Sequence, residues 1–389
     1  MKRILQVTNY MDRGGVETLL MNLYRTIDRT EFQFDFLTHP HTVDTVYSYE
    51  EEIKDLGGKV YKAPSFIKDP VAYKRFIVSF FDEHPEYHIV HAHNLDSAAL
   101  AYMPIVKKYG CYLIAHAHND QERGSLLRRS LINLTHKIIR RYPDYFYACS
   151  DEAGTFFFGK EVTRSGNYAI FNNAILLDKY STTEDEHVRC KKKLFHGMNG
   201  PIFGTVGRLC EQKNHSFLLD VFARIHIKNK NAVLVIVGEG ELRRNLESKA
   251  HEVGLADSVR FVGSVGNVDE YLKAFDVFLF PSLYEGLGMA AVEAQAAGLP
   301  TLLSDSIPSK AMCTDLARPV SLSDGPDAWA KAALESYEAN RGRRADRVEQ
   351  VRQSGFDIKQ VAMELCDFYS SHGSFPSQTA TDNRMRGLA

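Results

Sequence analysis

Glu285 and Glu293 are separated by seven residues in the run FPSLYEGLGMAAVEAQAAGLP, residues 280–300. There a short apolar stretch enters a glycine-containing turn and then an alanine-rich helical pattern. Gly286 and Gly288, on either side of Leu287, let a ligand approach the backbone closely. The start of the helix adds unpaired N–H groups and the positive end of its dipole. Such a place suits the phosphates of a nucleotide, with Glu293 accepting hydrogen bonds from ribose hydroxyls. Read as one helix, eight positions hold the carboxylates ~12 Å apart. That is too far to flank one scissile bond as a retaining glycosidase pair does at ~5 Å. They contact different parts of an extended ligand or are unrelated, the plain alternative being a solvated helix with an acidic start.

Three further clusters carry possible chemistry. After Gly207, Arg208 and Lys213 follow five apart. They can neutralise a diphosphate, one as a planar fork and one as a point charge, or be two exposed basic residues of an ordinary loop. Gly14 and Gly15 open a helix near Glu17 without the Gly-x-Gly-x-x-Gly pattern, which disfavours a nicotinamide dinucleotide; a tight turn is the plain reading. His-Ala-His-Asn occurs at 91–94 and again at 116–119, each at the end of a strand. Residues two apart share a strand face, so each motif could aim two imidazoles at a cleft. Four histidines could hold a metal such as zinc. With no Asp-rich or Cys cluster beside them, the expectation is no metal and no cofactor.

The elements that position these residues follow from the alternation of short β-branched runs with longer amphipathic ones, the pattern of parallel sheets covered by helices. Strands are expected near Arg3–Thr8, Phe32–Thr38, Lys59–Tyr61, Ile89–His93, Tyr112–His116, Tyr145–Ala148 and Ala169–Phe171. After a polar stretch from Asp178 to Glu186 they resume at Ile202–Val206, Ala232–Val237, Val259–Val262, Val277–Phe280, Thr301–Ser304 and Ala317–Ser321. Two doubly wound domains facing across a cleft are implied, with ligands beyond the carboxyl ends of the strands. Apolar spacing over Asp357–Tyr369 predicts a last helix, and the polar residues from Ser371 onward predict a disordered tail.

The 389 residues suffice for two cores, with ordinary hydrophobic (44%) and charged (25%) content. A formal charge of −2 offers no basic excess for general nucleic-acid binding. Six scattered cysteines without a Cys-x-x-Cys pair read as reduced thiols. The apolar part of MKRILQVTNY is only a strand's length, unlike a signal peptide, and no stretch of 18 apolar residues exists to span a membrane. A cytoplasmic chain is expected. Arg123–Arg141 places Leu127, Leu131, Leu134 and Ile138 among Arg128, Arg129, Lys137, Arg140 and Arg141. This is either a core-facing helix with a solvated basic face or a peripheral contact with an anionic membrane.

The Glu-x7-Glu run with its glycine-flanked turn and the following Ala294-x-x-x-Gly298-x-Pro300 resembles the donor-site signature of glycosyltransferase family 4, retaining nucleotide-sugar enzymes of the GT-B fold. The resemblance spans Arg3 to about Tyr369 and is more specific in the second half. It implies an acceptor-side Rossmann-like domain over 1–175, a connector over 176–200 and a donor domain over 201–355. A helix over 356–370 would return to the first domain, followed by a tail over 371–389. It assigns Arg208 and Lys213 to the diphosphate, Glu285 to sugar hydroxyls, Glu293 to the ribose, and Gly207, Gly238, Gly240 and Val265 to nucleotide-side loops. Gly14 and Gly15 would lie between acceptor and donor diphosphate, with Glu17 and His93 on the acceptor side. His118 falls where the family's histidine contacts the reacting sugar, while His116 stands where a Thr is frequent. The implied activity is transfer of a hexosyl unit, from a UDP-sugar by preference, to a saccharide or polyprenyl-diphosphate-linked acceptor in exopolysaccharide or capsule synthesis. A nucleotide-sugar epimerase of the same fold and a non-catalytic nucleotide-binding membrane subunit are the alternatives.

Overall fold

The computed structural model describes residues 1–12, 14–40, 42–118, 126–198 and 200–372, and the side chains of all of these except 126–131. Its strands fall into two all-parallel sheets. The first contains β1 (Lys2–Thr8), β2 (Phe32–Thr38), β3 (Val60–Lys62), β4 (Ile89–Ala92), β5 (Tyr112–Ala117), β6 (Tyr145–Ala148) and β7 (Tyr168–Ile170), in the order β3-β2-β1-β4-β5-β6-β7. The second contains β8 (Ile202–Val206), β9 (Val233–Val237), β10 (Val259–Gly263), β11 (Val277–Phe280), β12 (Thr301–Ser304) and β13 (Ala317–Val320), in the order β10-β9-β8-β11-β12-β13. Helices cover both faces of each sheet, so strands such as β2 and β11 are buried at every position; β11 (VFLF) is wholly apolar, while β2 (FQFDFLT) also buries Gln33, Asp35 and Thr38. Where β2 does bury a charge, Asp35, it is held by Arg3 (2.5 and 2.6 Å), the Lys59 amide (2.7 Å) and the Tyr87 hydroxyl (2.7 Å). Strand order reverses between β1 and β4, and again between β8 and β11. At such points the loops from adjacent strands leave in opposite directions and open a crevice.

By packing, the described residues form two units: residues 1–174 with Ile358–His372, and residues 175–357. The expected connector over 176–200 is instead part of the second unit. It contains a 3-10 turn (Leu177–Lys179) and a helix (Glu184–Leu194). That helix is joined to the Val268–Ala274 region by Lys191–Asp276 (2.6 Å), Lys193–Glu270 (2.7 Å) and a His187 bond to the Lys273 carbonyl (2.7 Å). Its polarity hid it, although its start and end signals were present. Thr183 caps it, acids fill the first turn and lysines the last, each complementing the dipole.

The last helix runs Ile358–His372, past the point where a tail was expected to begin; residues 373–389 lie outside the described residues. Tyr369 of this helix is fully buried in the first unit, 3.3 Å from Gln6 Nε2 and 2.7 Å from His91 Nδ1. The basic segment forms a helix over Leu126–Ile139, while Arg123 to Ser125 and the side chains of Leu126 to Leu131 lie outside the described residues. His136 and Ile139 face its core, whereas Leu134 is 55% exposed and Lys137 and Arg141 are exposed beside it. Leu134 therefore does not belong to a core-facing stripe. No described helix is long and apolar enough to cross a membrane.

Candidate active site

In the second unit the loops leaving β8, β9, β10 and β11 are hydrogen-bonded into one platform. Gly207 N donates to Val237 O (3.0 Å), Leu209 N to Glu239 O (2.9 Å) and Gly238 N to Gly263 O (2.9 Å). Gly238 has φ +141°, and a Cβ there would collide with the Gly207 carbonyl; one on Gly240 would collide with that of Leu209. These glycines are required by the close approach of backbones. Val265 is half-buried and packs on the core beneath them.

On this platform Lys213 Nζ lies 2.6 Å from Glu285 Oε1 and 4.8 Å from the centre of the Phe280 ring. Both partners are largely buried, with 17% and 9% of their side chains exposed. Gln212 clamps the same loop, bonding the Tyr284 carbonyl at 3.0 Å and Glu285 Oε2 at 3.4 Å, while Leu283 N donates back to Gln212 O (2.8 Å). Arg208 is exposed, and among the described residues it makes no ion pair. The switch point of this sheet thus holds one neutralised cation and one uncommitted cation.

The following helix begins at Met289, so Glu285 stands in the loop and Glu293 is the helix's fifth residue. The two carboxylates are therefore not eight positions apart on one helix, and the helical ruler does not apply to them. Gly288, not Gly286, takes the left-handed conformation (φ 87°), ending the loop with no side-chain cap on the helix. The Leu287 side chain is buried in the core, so only its backbone is available to a ligand. Burial pushes the Glu293 carboxyl up to about 7, against a hydrogen bond from Tyr180 and the charge of Lys213, which favour ionisation. Tyr180 was missed in the sequence because it belongs to the stretch read as a connector.

In the first unit the corresponding switch point carries Gly14 and Gly15. Gly14 caps the helix Gly15–Thr26, and the Glu17 carboxylate folds back over it into the space a side chain would take. Gly15 is exposed and opens on free space. Asn94 joins the loops after β1, β2 and β4, bonding Asn9 (2.6 Å) and His39 (3.1 Å).

The four histidines of the repeated motif form one cluster, because β4 and β5 pair in a register that places Ala92 beside Ala115. They do not point together into a cleft. His91 and His116 are 1% exposed, packed with Tyr147, Phe171 and Tyr369. His93 and His118, past the strand ends, are half-buried and bond each other, Nδ1 to Nε2, at 2.8 Å. His93 Nε2 also meets Gln6 Oε1 at 2.9 Å. Burial holds all four neutral, driving His91 and His118 down to about 3 and His93 and His116 well below the usual imidazole value. Accessibility separates His118 from His116, as the strand spacing alone did not. Asn119 lies outside the described residues.

The chain matches the model of glycosyl transferases group 1 over residues 189–354 and that of Glycosyltransferase Family 4 over residues 13–157. It is 32% identical over 380 residues to a protein described as a glycosyltransferase, EpsF of Bacillus subtilis (strain 168), covering 95% of this chain and 96% of the relative. The chain belongs to glycosyltransferase family 4. This glycosyltransferase is also 33% identical over 141 residues, 35% of its length, to the Escherichia coli UDP-Gal:alpha-D-GlcNAc-diphosphoundecaprenol alpha-1,3-galactosyltransferase. Its fold is that of GT-B enzymes. Anabaena Alr3699/HepE, solved in complex with UDP, superposes with a TM-score of 0.77 at 16% identity, over 95% of this glycosyltransferase and all of that chain. A separate cavity lined by Glu184, His187, Asp276 and Arg344 opens at the amino ends of β11–β13, away from the platform.

Proposed function

We propose that this glycosyltransferase moves a hexosyl unit from a nucleotide diphosphate sugar, UDP-linked by preference, to a saccharide or lipid-linked saccharide acceptor in surface-polysaccharide assembly, retaining the anomeric configuration. The preference for UDP draws on the relatives, one named for a UDP-sugar and a diphosphoundecaprenol-linked acceptor and one solved with UDP. The observation that carries the reading is an exposed Arg208, without an ion pair among the described residues, on the same β8 loop as the Lys213 that pairs with Glu285 ahead of an uncapped helix, where loops meet at a switch point.

The chemical difficulty is departure of a pyrophosphate while positive charge grows on the sugar ring. Arg208 supplies a fork of donors to the diphosphate. Lys213, already held by Glu285, adds a fixed charge where negative charge develops, and the first amides of the helix Met289–Ala296 extend the field. This cationic set is assigned the work that a metal ion does in other transferases. Glu285 accepts from sugar hydroxyls and Glu293 from the ribose. His118, neutral, is assigned to the sugar, Gly14 and Gly15 to the donor diphosphate where it meets the acceptor, and Glu17 and His93 to the acceptor side. Glu285 is engaged by Lys213 and Gln212, an arrangement unlike a free carboxylate nucleophile. A front-face route is therefore preferred, in which a departing phosphate oxygen takes the acceptor proton. Leu134, Lys137 and Arg141 would rest on an anionic membrane that presents the acceptor.

Thermal melts against a nucleotide panel test this reading. UDP at saturating concentration should raise the melting temperature. Incubation with UDP-sugars should release UDP, and NMR of the transferred sugar should show the donor's anomeric configuration. Absence of both stabilisation and release across the panel overturns it.

A further inference from the structure

Three of the imidazoles in the first unit carry more than a packing role. A buried ring nitrogen without a hydrogen-bond partner calls for an explanation, and a missing ion is a leading one. Among the described residues, His91 Nε2 and both nitrogens of His116 have no hydrogen-bond partner, although both residues are 1% exposed. His91, His93 and His116 each present a nitrogen within 4.8 Å of the other two, with ring centres 4.3, 5.3 and 5.2 Å apart.

We propose that His91, His93 and His116 form a binding site for a divalent cation of borderline softness, Zn2+ by preference. The outer contacts are those a metal-bound imidazole needs. The Tyr369 hydroxyl holds His91 Nδ1 at 2.7 Å, leaving Nε2 as the ligand atom, and Gln6 Oε1 holds His93 Nε2 at 2.9 Å, leaving Nδ1. Tetrahedral bonds of ~2.0–2.1 Å would bring the nitrogens to ~3.4 Å from one another. The imidazoles would close that gap by rotation about their broad χ2 torsions. His118 Nε2, 2.8 Å from His93 Nδ1, gives up that bond when the ion binds and stands next to the open fourth position. Three neutral nitrogens suit Zn2+, Co2+ or Ni2+, whereas Mg2+ and Ca2+ demand oxygen ligands. The ion ties β4 and β5 to the last helix through Tyr369.

Untagged full-length protein, treated with EDTA and desalted, would be dosed with Zn2+, passed over gel filtration and analysed by mass spectrometry for metal. About one Zn2+ per chain should be retained, the melting temperature should rise, and Co2+ should give the visible absorption of a tetrahedral nitrogen site. Mg2+ should do none of these. His116→Asn should lower zinc affinity at least tenfold. Tyr369→Phe, which leaves the ligands in place should His116→Asn fail to fold, should lower it about 10–100-fold. Failure of the wild type to retain zinc, or retention by both variants equal to that of the wild type, overturns the site.

Discussion

Replacing Glu293 by Gln gives a sharp test of the donor-side chemistry. The carboxyl ionises at about 7 in the folded protein, against an ordinary 4.5, because burial disfavours its charge. Between these values the folded protein binds more protons than the unfolded chain. Stability from this group is thus full below 4.5 and is lost as pH rises through about 7. The difference corresponds to about 3 kcal/mol, a ceiling because the side chain keeps some contact with solvent. From about pH 5.5 to about pH 8.5 the loss is about 2 kcal/mol, or about 4–8 °C of melting temperature for a unit of this size. Glu293→Gln is neutral throughout, so its melting temperature should match wild type near the acid end and exceed it by that amount at the alkaline end. Ionised Glu293 offers the ribose hydroxyls two charged acceptors where the protonated acid offers one neutral carbonyl, so UDP affinity of the wild type should rise with pH up to about 7, and that of Glu293→Gln should stay level. Differential scanning fluorimetry across the range reads both. Parallel melting profiles for the two proteins would refute the burial of an acid at this position.

Arg208→Ala should lower turnover about 10²–10³-fold with an unchanged melting temperature, because the side chain is exposed and forms no ion pair among the described residues; wild-type turnover in the folded variant removes it from the site. Lys213→Met leaves the Glu285 carboxylate, 9% exposed, without its cation and should destabilise the second unit by about 3 kcal/mol in urea unfolding. The double variant Lys213→Met, Glu285→Gln should recover part of that loss, and simple additivity would show that the pair is not coupled. Lys137→Gln with Arg141→Gln should weaken sedimentation with anionic vesicles about 30-fold, at ~1 kcal/mol per basic residue. Equal sedimentation excludes this helix as a membrane contact.

All thirteen described strands fall within a residue or two of the apolar runs that predict them, and several coincide at both ends, among them Phe32–Thr38 and Val277–Phe280. Strands covered on both faces are rich in apolar and β-branched or aromatic residues, a property that is local and therefore written in the chain, even where a strand such as β2 also buries Gln33 and Asp35. The donor-side motif was legible for a similar reason, since Glu285, the turn glycines and Glu293 belong to one strand-turn-helix segment. Other features depended on residues distant in sequence. The helix Glu184–Leu194 was hidden by its polarity, since it buries only His187 and Cys190 and is also tied to the rest of the second unit through ion pairs to Glu270 and Asp276. Only the packed second unit brought Lys213 onto Glu285 and Tyr180 onto Glu293. Only the register of β4 on β5, under Tyr369, turned two copies of His-Ala-His-Asn into a buried cluster. Local periodicity decides which faces are apolar and where the chain must turn. Which charge is paired, which acid is desolvated and which imidazole is left without a partner depend on contacts across the chain, and the tertiary structure alone sets those.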